Sequence, residues 1–544
     1  LGSIVGSGTR SKIISCTSSV DYEVNSNLGS IGGLVGFING YNGATDEDDN
    51  LINAYDGLIS SSEYYGDMDI TSTTSTVIGG IVGNAQYTRI SDSSVMKKVV
   101  DDENNVTYET IQIEVNSVGN NYIGGIAGTY DKCSISYCST DISISDLPDK
   151  VVAVAEDPAI SDTSYYIGGI VGKIANQSVM DKDIDNSYST LTYDLVKTTN
   201  AYIGGIVGEQ ASSVNVNFDT VFSKINIVSN AKGLDVGIDI VGRMVIGGIV
   251  GLTSGNPSTP TIYGTNINNS MAIINADADY NSILFGGGLI GQATGSYSID
   301  NSTATGYIWA NNSNGIHMSA DSTPTLTVLG GLVGMADDVS DVEPTNKKIS
   351  QKINNSYTTL TLSTAGVYVG EKEGKTHTVH TNGVVGYTHS GNKIEGSGIL
   401  YSSDYTLALE EGNLNYGKFK SEPKNVTANL LINNNTTLAS TDLELQDYDI
   451  GNSWIWAKDH LPLPLALKDI LVNVGILYYP TEGETTVEFT SQQDGSQQDG
   501  KPYSPYIIDE DNFTDFDFSS NKDYSYYLWR LDATLSGYND NLNG

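Results

Sequence analysis

Ile203-Gly204-Gly205-Ile206-Val207-Gly208 reads apolar-Gly-Gly-apolar-apolar-Gly. The same six letters recur at 78–83, 167–172 and 246–251, and close variants begin at Leu1, Ile31, Ile123, Gly286, Leu329 and Thr381. Ten copies, spaced 30 to 52 residues apart, mark a stacked-repeat architecture, in which each unit buries its apolar face only against its neighbours. That escapes the size limit on a single core, which a 544-residue chain would otherwise exceed.

Each unit divides into three short strands. The first carries the Gly-Gly pair, often led by tyrosine (Tyr122, Tyr165 and Tyr166, Tyr202). The second has Ile-x-Asn/Asp-Ser, beginning at Ile90, Ile184, Ile267, Ile299 and Ile353. The third is a β-branched run such as 191–196 or 360–362. No long stretch has helical periodicity. The expected fold is all-β: a parallel β-helix, or solenoid, of about ten three-stranded coils, plus a small C-terminal β region. With coils about 4.8 Å apart, the stack spans roughly 50 Å.

Gly79, Gly80, Gly124, Gly125, Gly168, Gly169, Gly204, Gly205, Gly247, Gly248, Gly330 and Gly331 are therefore structural glycines. Strict alternation puts Ile203, Gly205 and Val207 on one face and Gly204, Ile206 and Gly208 on the other. Either Gly-Gly forms a corner that re-aims Ile206 inward, which is the preferred reading, or Ile206 packs outward under a loop or a partner. A larger residue at Gly204 and Gly205 should clash with the adjacent coil. Asn269, Asn301 and Asn355 fall at one place in three consecutive units. They form a candidate polar ladder along the axis, or else are ordinary Asn-Ser turn residues.

The repeat array occupies 1–400. Residues 401–465 read as a terminal coil that caps the last apolar layer with Trp454, Trp456 and a Leu-Pro segment. Residues 466–490 read as short strands, 491–501 as a linker, and 502–544 as the truncated start of a further β module. The chain reads as a piece of a longer protein, with any export signal or anchor lying outside it.

Lys and Arg total 27 against 65 Asp and Glu, a net charge of −38. Such a surface repels phosphate backbones and anionic lipid, so nucleic-acid binding is not expected. No segment is long and apolar enough to be a membrane-spanning helix. Three cysteines, Cys16, Cys133 and Cys138, are too few for a disulfide framework. Cys133 and Cys138, five apart, would point to opposite faces of one extended strand.

The hexapeptide followed by Ile-x-Asn-Ser-Tyr resembles the GLUG repeat of large secreted and surface proteins. Residues 329–334 (LGGLVG) with 353–357 (INNSY) carry it best. WIWAKDHLPLPL at 454–465 resembles the close of such an array, and 502–538 the opening of another. Long insertions and the rarity of the Ala-Thr-Gly segment (304–306 has it) depart from the pattern. The resemblance implies a β-helix in adhesins or stalks, some of which sit beside a peptidase domain.

Catalytic signatures are sparse. The five histidines, His317, His377, His380, His389 and His460, form no HExxH. His377 and His380, an odd number apart, cannot share a strand face. There is no GxSxG elbow and no GxxxxGK[ST] loop. Asp181, Asp183 and Asp185 make a D-x-D-x-D run, a candidate Ca²⁺ site without the glycine and closing glutamate of an EF-hand. No other cofactor is expected. Asn268, Asn301 and Asn354 are among several glycosylation sequons.

The sequence thus points to a non-catalytic structural or adhesive extracellular protein, a rigid segment of a cell-surface protein or fibre. The expected partners are other copies of itself, related surface proteins, or cell-surface glycans. The alternative is a carbohydrate-active β-helix enzyme or the non-catalytic arm of a secreted peptidase. An enzyme of that kind needs two carboxylates about 5–9.5 Å apart in a groove.

Overall fold

The computed structural model describes residues 1–41, 56–100, 106–145, 163–176, 184–195, 200–211, 215–229, 243–253, 264–280, 283–311, 325–336, 350–367, 370–372, 375–388, 394–402, 424–426, 453–455 and 463–474. Over these the chain is a parallel β-helix.

Every hexapeptide bridges two sheets. Its leading residues end a strand of one sheet (Asn200–Gly204), and its last two open a strand of another (Val207–Gln210). Ten strands starting at the fifth motif position, from Val5–Thr9 to Val385–Thr388, stack in sequence order as the exit sheet. The entry sheet runs from Ile31–Gly32 to Lys375–Asn382 in the same order. There an antiparallel strand, Gly370–Lys372, pairs with the last member. The third sheet holds the Ile-x-Asn-Ser strands and the β-branched runs. Within it Ile184–Leu195 lies in register on Val216–Ser229.

The register fixes the core columns. Ile123, Ile167, Ile203 and Ile246 stack on one another, each fully buried. Ile206 is fully buried in the same core cluster as Ile203 and Val207, so the corner reading holds. Gly205 and Ile206 lie between the two strands, and breaking the alternation there lets Ile203, Ile206 and Val207 all face inward. Each such side chain contributes about 1.5–3 kcal/mol on burial.

The glycines follow from this corner. A Cβ on Gly204 would overlap Val207 O and lie 2.6 Å from Gly251 N of the next coil. One on Gly205 would overlap Gly248 O and approach Ser223 across the core at 2.5 Å. In the last copy the second position is Asn382, and no further coil of the entry or exit sheet stands above it among the described residues.

The inner carbonyls of the corner are satisfied by hydroxyls of the third sheet. Thr140 Oγ1 donates to Gly169 O at 2.8 Å, Ser223 Oγ to Gly248 O at 2.5 Å, and Thr358 Oγ1 to Gly331 O at 2.8 Å. Ser189 donates likewise to Gly205 O. Unpaired, each buried carbonyl would cost about 1–3 kcal/mol.

The C-terminal segment departs from expectation in its described part. Of residues 466–490, expected as strands, 466–467 belong to the 3₁₀ turn Leu465–Leu467 and 468–473 form the α-helix Lys468–Asn473; 475–490 lie outside the described residues. Pro464 precedes the turn and Asp469 lies in the helix's first turn, where a carboxylate suits the dipole. Of 401–465, expected as a terminal coil, the described strands Ile399–Ser402 and Lys424–Val426 follow one another at the end of the third sheet, and the described residues from 453 on lie elsewhere. Trp454–Ile455 pairs antiparallel with Leu463–Pro464, and the segment lies along the flank of the third sheet. Leu463, Leu467, Ile470 and Leu471 cover Phe222, Met271 and Ile273, with Tyr188 at the edge. The Trp454 ring sits 5.6 Å from that of Tyr357. These outward apolar residues of the flank need cover, which the C-terminal residues supply. Trp456 and residues 475–544 lie outside the described residues, and with them the proposed linker and further module.

Candidate functional site

Two features place polar chemistry in the solenoid: an internal ladder beside the Ile-x-Asn-Ser turn and an external crevice at the Gly-Gly corner.

At the turn, the third motif residue is left-handed: Asp92 (φ 50°), Asn186 (46°), Asn269 (49°), Asn301 (47°) and Asn355 (44°). Asn and Asp tolerate this conformation best among side-chain-bearing residues. The amide ladder expected of Asn269, Asn301 and Asn355 does not form. Asn269 Nδ2 instead donates to Asp219 Oδ1 at 3.1 Å, and no hydrogen bond joins the three side chains to one another. What stacks is the serine one residue on. Ser270 N–H donates to Ser302 Oγ and Ser302 N–H to Ser356 Oγ, each at 3.1 Å. Ser62 N–H bonds Ser93 Oγ at 3.2 Å and Cys138 N–H bonds Ser187 Oγ at 3.0 Å. Each hydroxyl donates in turn to the carbonyl two residues back, as Ser302 does to Asp300 O at 2.7 Å. The left-handed bend tips the asparagine toward the rim and lets the small serine in. Amide ladders do exist, but outside: Asn266 to Asn217 at 2.8 Å, and Asn354 to Asp300 at 2.7 Å.

The ladder also accounts for the cysteines. Cys16 and Cys138 occupy serine rungs, Cys138 between Ser93 and Ser187 in register. Cys133 Sγ accepts the N–H of Thr88 at 3.4 Å. Cys133 and Cys138 both face inward, against the opposite-face expectation, because Tyr137 (φ 53°) breaks the strand between them. Burial pushes both thiols up to about 12. At Val221 the hydroxyl is missing from the column.

Outside the Gly-Gly corner, outward side chains of the entry and exit sheets meet, so the corner is a crevice. Gly204 and Gly208 floor it. A Cβ on Gly208 would lie 2.5 Å from Ile167 N of the previous coil. On the entry wall Tyr122, Tyr166 and Tyr202 stack with ring centroids 5.0 and 4.7 Å apart, and Val245, Phe285 and Val328 continue the column. On the exit wall stand Thr129, Lys173, Glu209, Leu252, Gln292 and Met335. The walls hold each other. Lys173, paired with Glu209 of its own wall at 2.8 Å, reaches across to Tyr122, its Nζ 4.8 Å from that ring centroid. The Arg243 guanidinium lies 5.1 Å from the Phe285 ring centroid and donates to Gln292. Burial alone would lower the Lys173 ammonium, but the Glu209 carboxylate outweighs it and holds Lys173 above its ordinary value.

Other candidate residues are scattered. His377 is buried in the core, its Nε2 2.8 Å from Thr327 Oγ1, and desolvation lowers it to about 4. His380 faces the crevice side instead, its ring 5.0 Å from that of Tyr387. Of the Ca²⁺ candidates, Asp181 and Asp183 lie outside the described residues, while Asp185 is the second residue of the strand Ile184–Leu195 and accepts from Asn186 Nδ2 at 2.8 Å. His317, His389 and His460 also lie outside the described residues. Sequence reasoning did not find the crevice, because its walls join residues about 50 positions apart that only the stacking brings together. Tyr preceding Ile-Gly-Gly was the available signal.

No protein-family model, curated protein or solved structure matches the chain.

Proposed function

We propose that this chain is a non-catalytic structural or adhesive segment, a rigid rod within an extracellular or cell-surface protein or fibre of the GLUG-repeat kind. The observation that carries the reading is continuity along the axis. The exit sheet pairs in register from Val5 to Val385, coil by coil. The polar side chains inside and outside follow the same axis. Serines bond to serines, and crevice residues bond across the crevice to one another, so they are used to hold coils together. The enzymatic alternative asks for two nearby carboxylates. The described crevice columns carry one, Glu209, which is occupied by Lys173.

The mechanism is geometric. A stack of coils holds whatever it carries at a fixed distance, and resists bending because each coil is bonded to the next along three sheets. Solution scattering tests this. The proposal requires an elongated rod profile in dilute solution; a compact or flexible-chain profile contradicts it.

A further inference from the structure

Beyond this reading, and resting on it, we infer that the C-terminal strap, whose described residues are 453–455 and 463–474, is an exchangeable element. When copies of this chain are crowded, the strap of one molecule seats on the third-sheet flank of a second. The seat is Tyr188, Phe222, Met271 and Ile273, with Tyr357 under Trp454.

Three observations carry this. First, complementarity is already displayed. The flank is apolar, Phe222 and Met271 are all but fully buried, and the strap's leucines are what cover them. An identical strap from a neighbour makes the same contacts, so exchange needs no new surface. Second, the strap's strand pairing is internal, Trp454–Ile455 with Leu463–Pro464, and it joins none of the three solenoid sheets. Its release therefore breaks no rung of the ladder. Third, 26 residues, 427–452, separate the strap from the last solenoid strand, Lys424–Val426. A chain of that length reaches at most about 90 Å, longer than the stack, so its length allows the strap to seat on a second molecule.

Concentration decides which arrangement prevails. A tether of this length gives the strap an effective concentration on the order of millimolar at its own seat. Dilute chains therefore keep their own straps, and exchange needs crowding of that order, as on a densely covered surface. The net charge of −38 opposes close approach, so added salt favours exchange.

The test uses the full chain with Leu467→p-benzoylphenylalanine, prepared in ¹⁴N and ¹⁵N forms, mixed, and irradiated at about 5 µM and about 1 mM. Peptides linked from position 467 to the Phe222 or Met271 peptide are then read by mass. The inference expects same-isotope links alone in dilute solution and mixed-isotope links at millimolar concentration, approaching about a quarter of the total where chain and effective concentrations match, with more at higher salt. Same-isotope links alone at both concentrations would overturn exchange while leaving the rod reading to scattering. Links from position 467 to neither peptide would overturn the seat itself.

Discussion

The backbone N–H of Ser270 is bonded to the hydroxyl of Ser302, one coil further on, at 3.1 Å, and both residues are fully sealed from solvent. One hydroxyl thus serves two coils, accepting from the coil before and donating to its own Asp300 carbonyl.

Ser302→Ala should destabilise the stack by about 1–3 kcal/mol, the cost of leaving a buried N–H unpaired. Ser302→Cys, which keeps an acceptor as Cys138 does, should cost less. Hydrogen exchange at the Ser270 amide reads the effect locally. An alanine variant with unchanged protection at that amide would refute the ladder.

Gly208 and Gly6 hold the same motif position, but among the described residues only Gly208 has a coil before it. A Cβ meets Ile167 N at Gly208 and nothing within 4 Å at Gly6. Gly208→Ala should therefore cost at least 1–3 kcal/mol as an overpacked site, and Gly6→Ala should be close to neutral. Thermal unfolding of the two variants compares them, and equal costs would contradict the stacking explanation of the glycines.

His377 makes stability depend on acid. Its folded value, about 4, lies below the ordinary 6.5, so the unfolded chain takes up a proton that the folded chain refuses. The neutral ring's contribution is complete above pH 6.5 and is lost as pH falls from there to about 4, up to about 3 kcal/mol. His377→Gln should remove that part of the acid sensitivity. Denaturant midpoints of the two chains between pH 7 and 4.5 supply the comparison; parallel curves would count against it.

Cys133 and Cys138 should resist thiol reagents at pH 8, since burial keeps them protonated and out of reach. Cys16, partly exposed on the first coil, should react first. Titration of the native protein should find one fast thiol, with two more appearing on unfolding. Three fast thiols would mean that the core is open.

The period of the hexapeptide was enough to place the sheets, because stacking forces equivalent residues into register. What it left open was local. Alternation alone could not say where Ile206 points, since a corner breaks alternation and the two glycines that make it look the same on either account. Asn269, Asn301 and Asn355 drew attention away from Ser270, Ser302 and Ser356. A left-handed turn selects asparagine for its backbone, whereas serine is selected for its small buried hydroxyl, and the pattern shows both equally. The flank strap was illegible because its seat is spread over Tyr188, Phe222, Met271 and Tyr357, outward residues of four separate coils. Its own pattern from Leu463 to Leu471 is too short to announce a helix.

The central claim is that consecutive repeats stack as consecutive coils of one rigid rod. Lys12, Arg89 and Lys352 stand in one outward column, with Arg89 two coils beyond Lys12 and Lys352 six beyond Arg89. Spin labels at pairs of these positions, on a Cys16→Ser background, measure the rise directly. The structure predicts narrow distributions near 29 Å for Arg89 with Lys352 and near 38 Å for Lys12 with Lys352, about 4.8 Å per coil. Broad distributions, or distances that do not grow by that step with coil number, would contradict it.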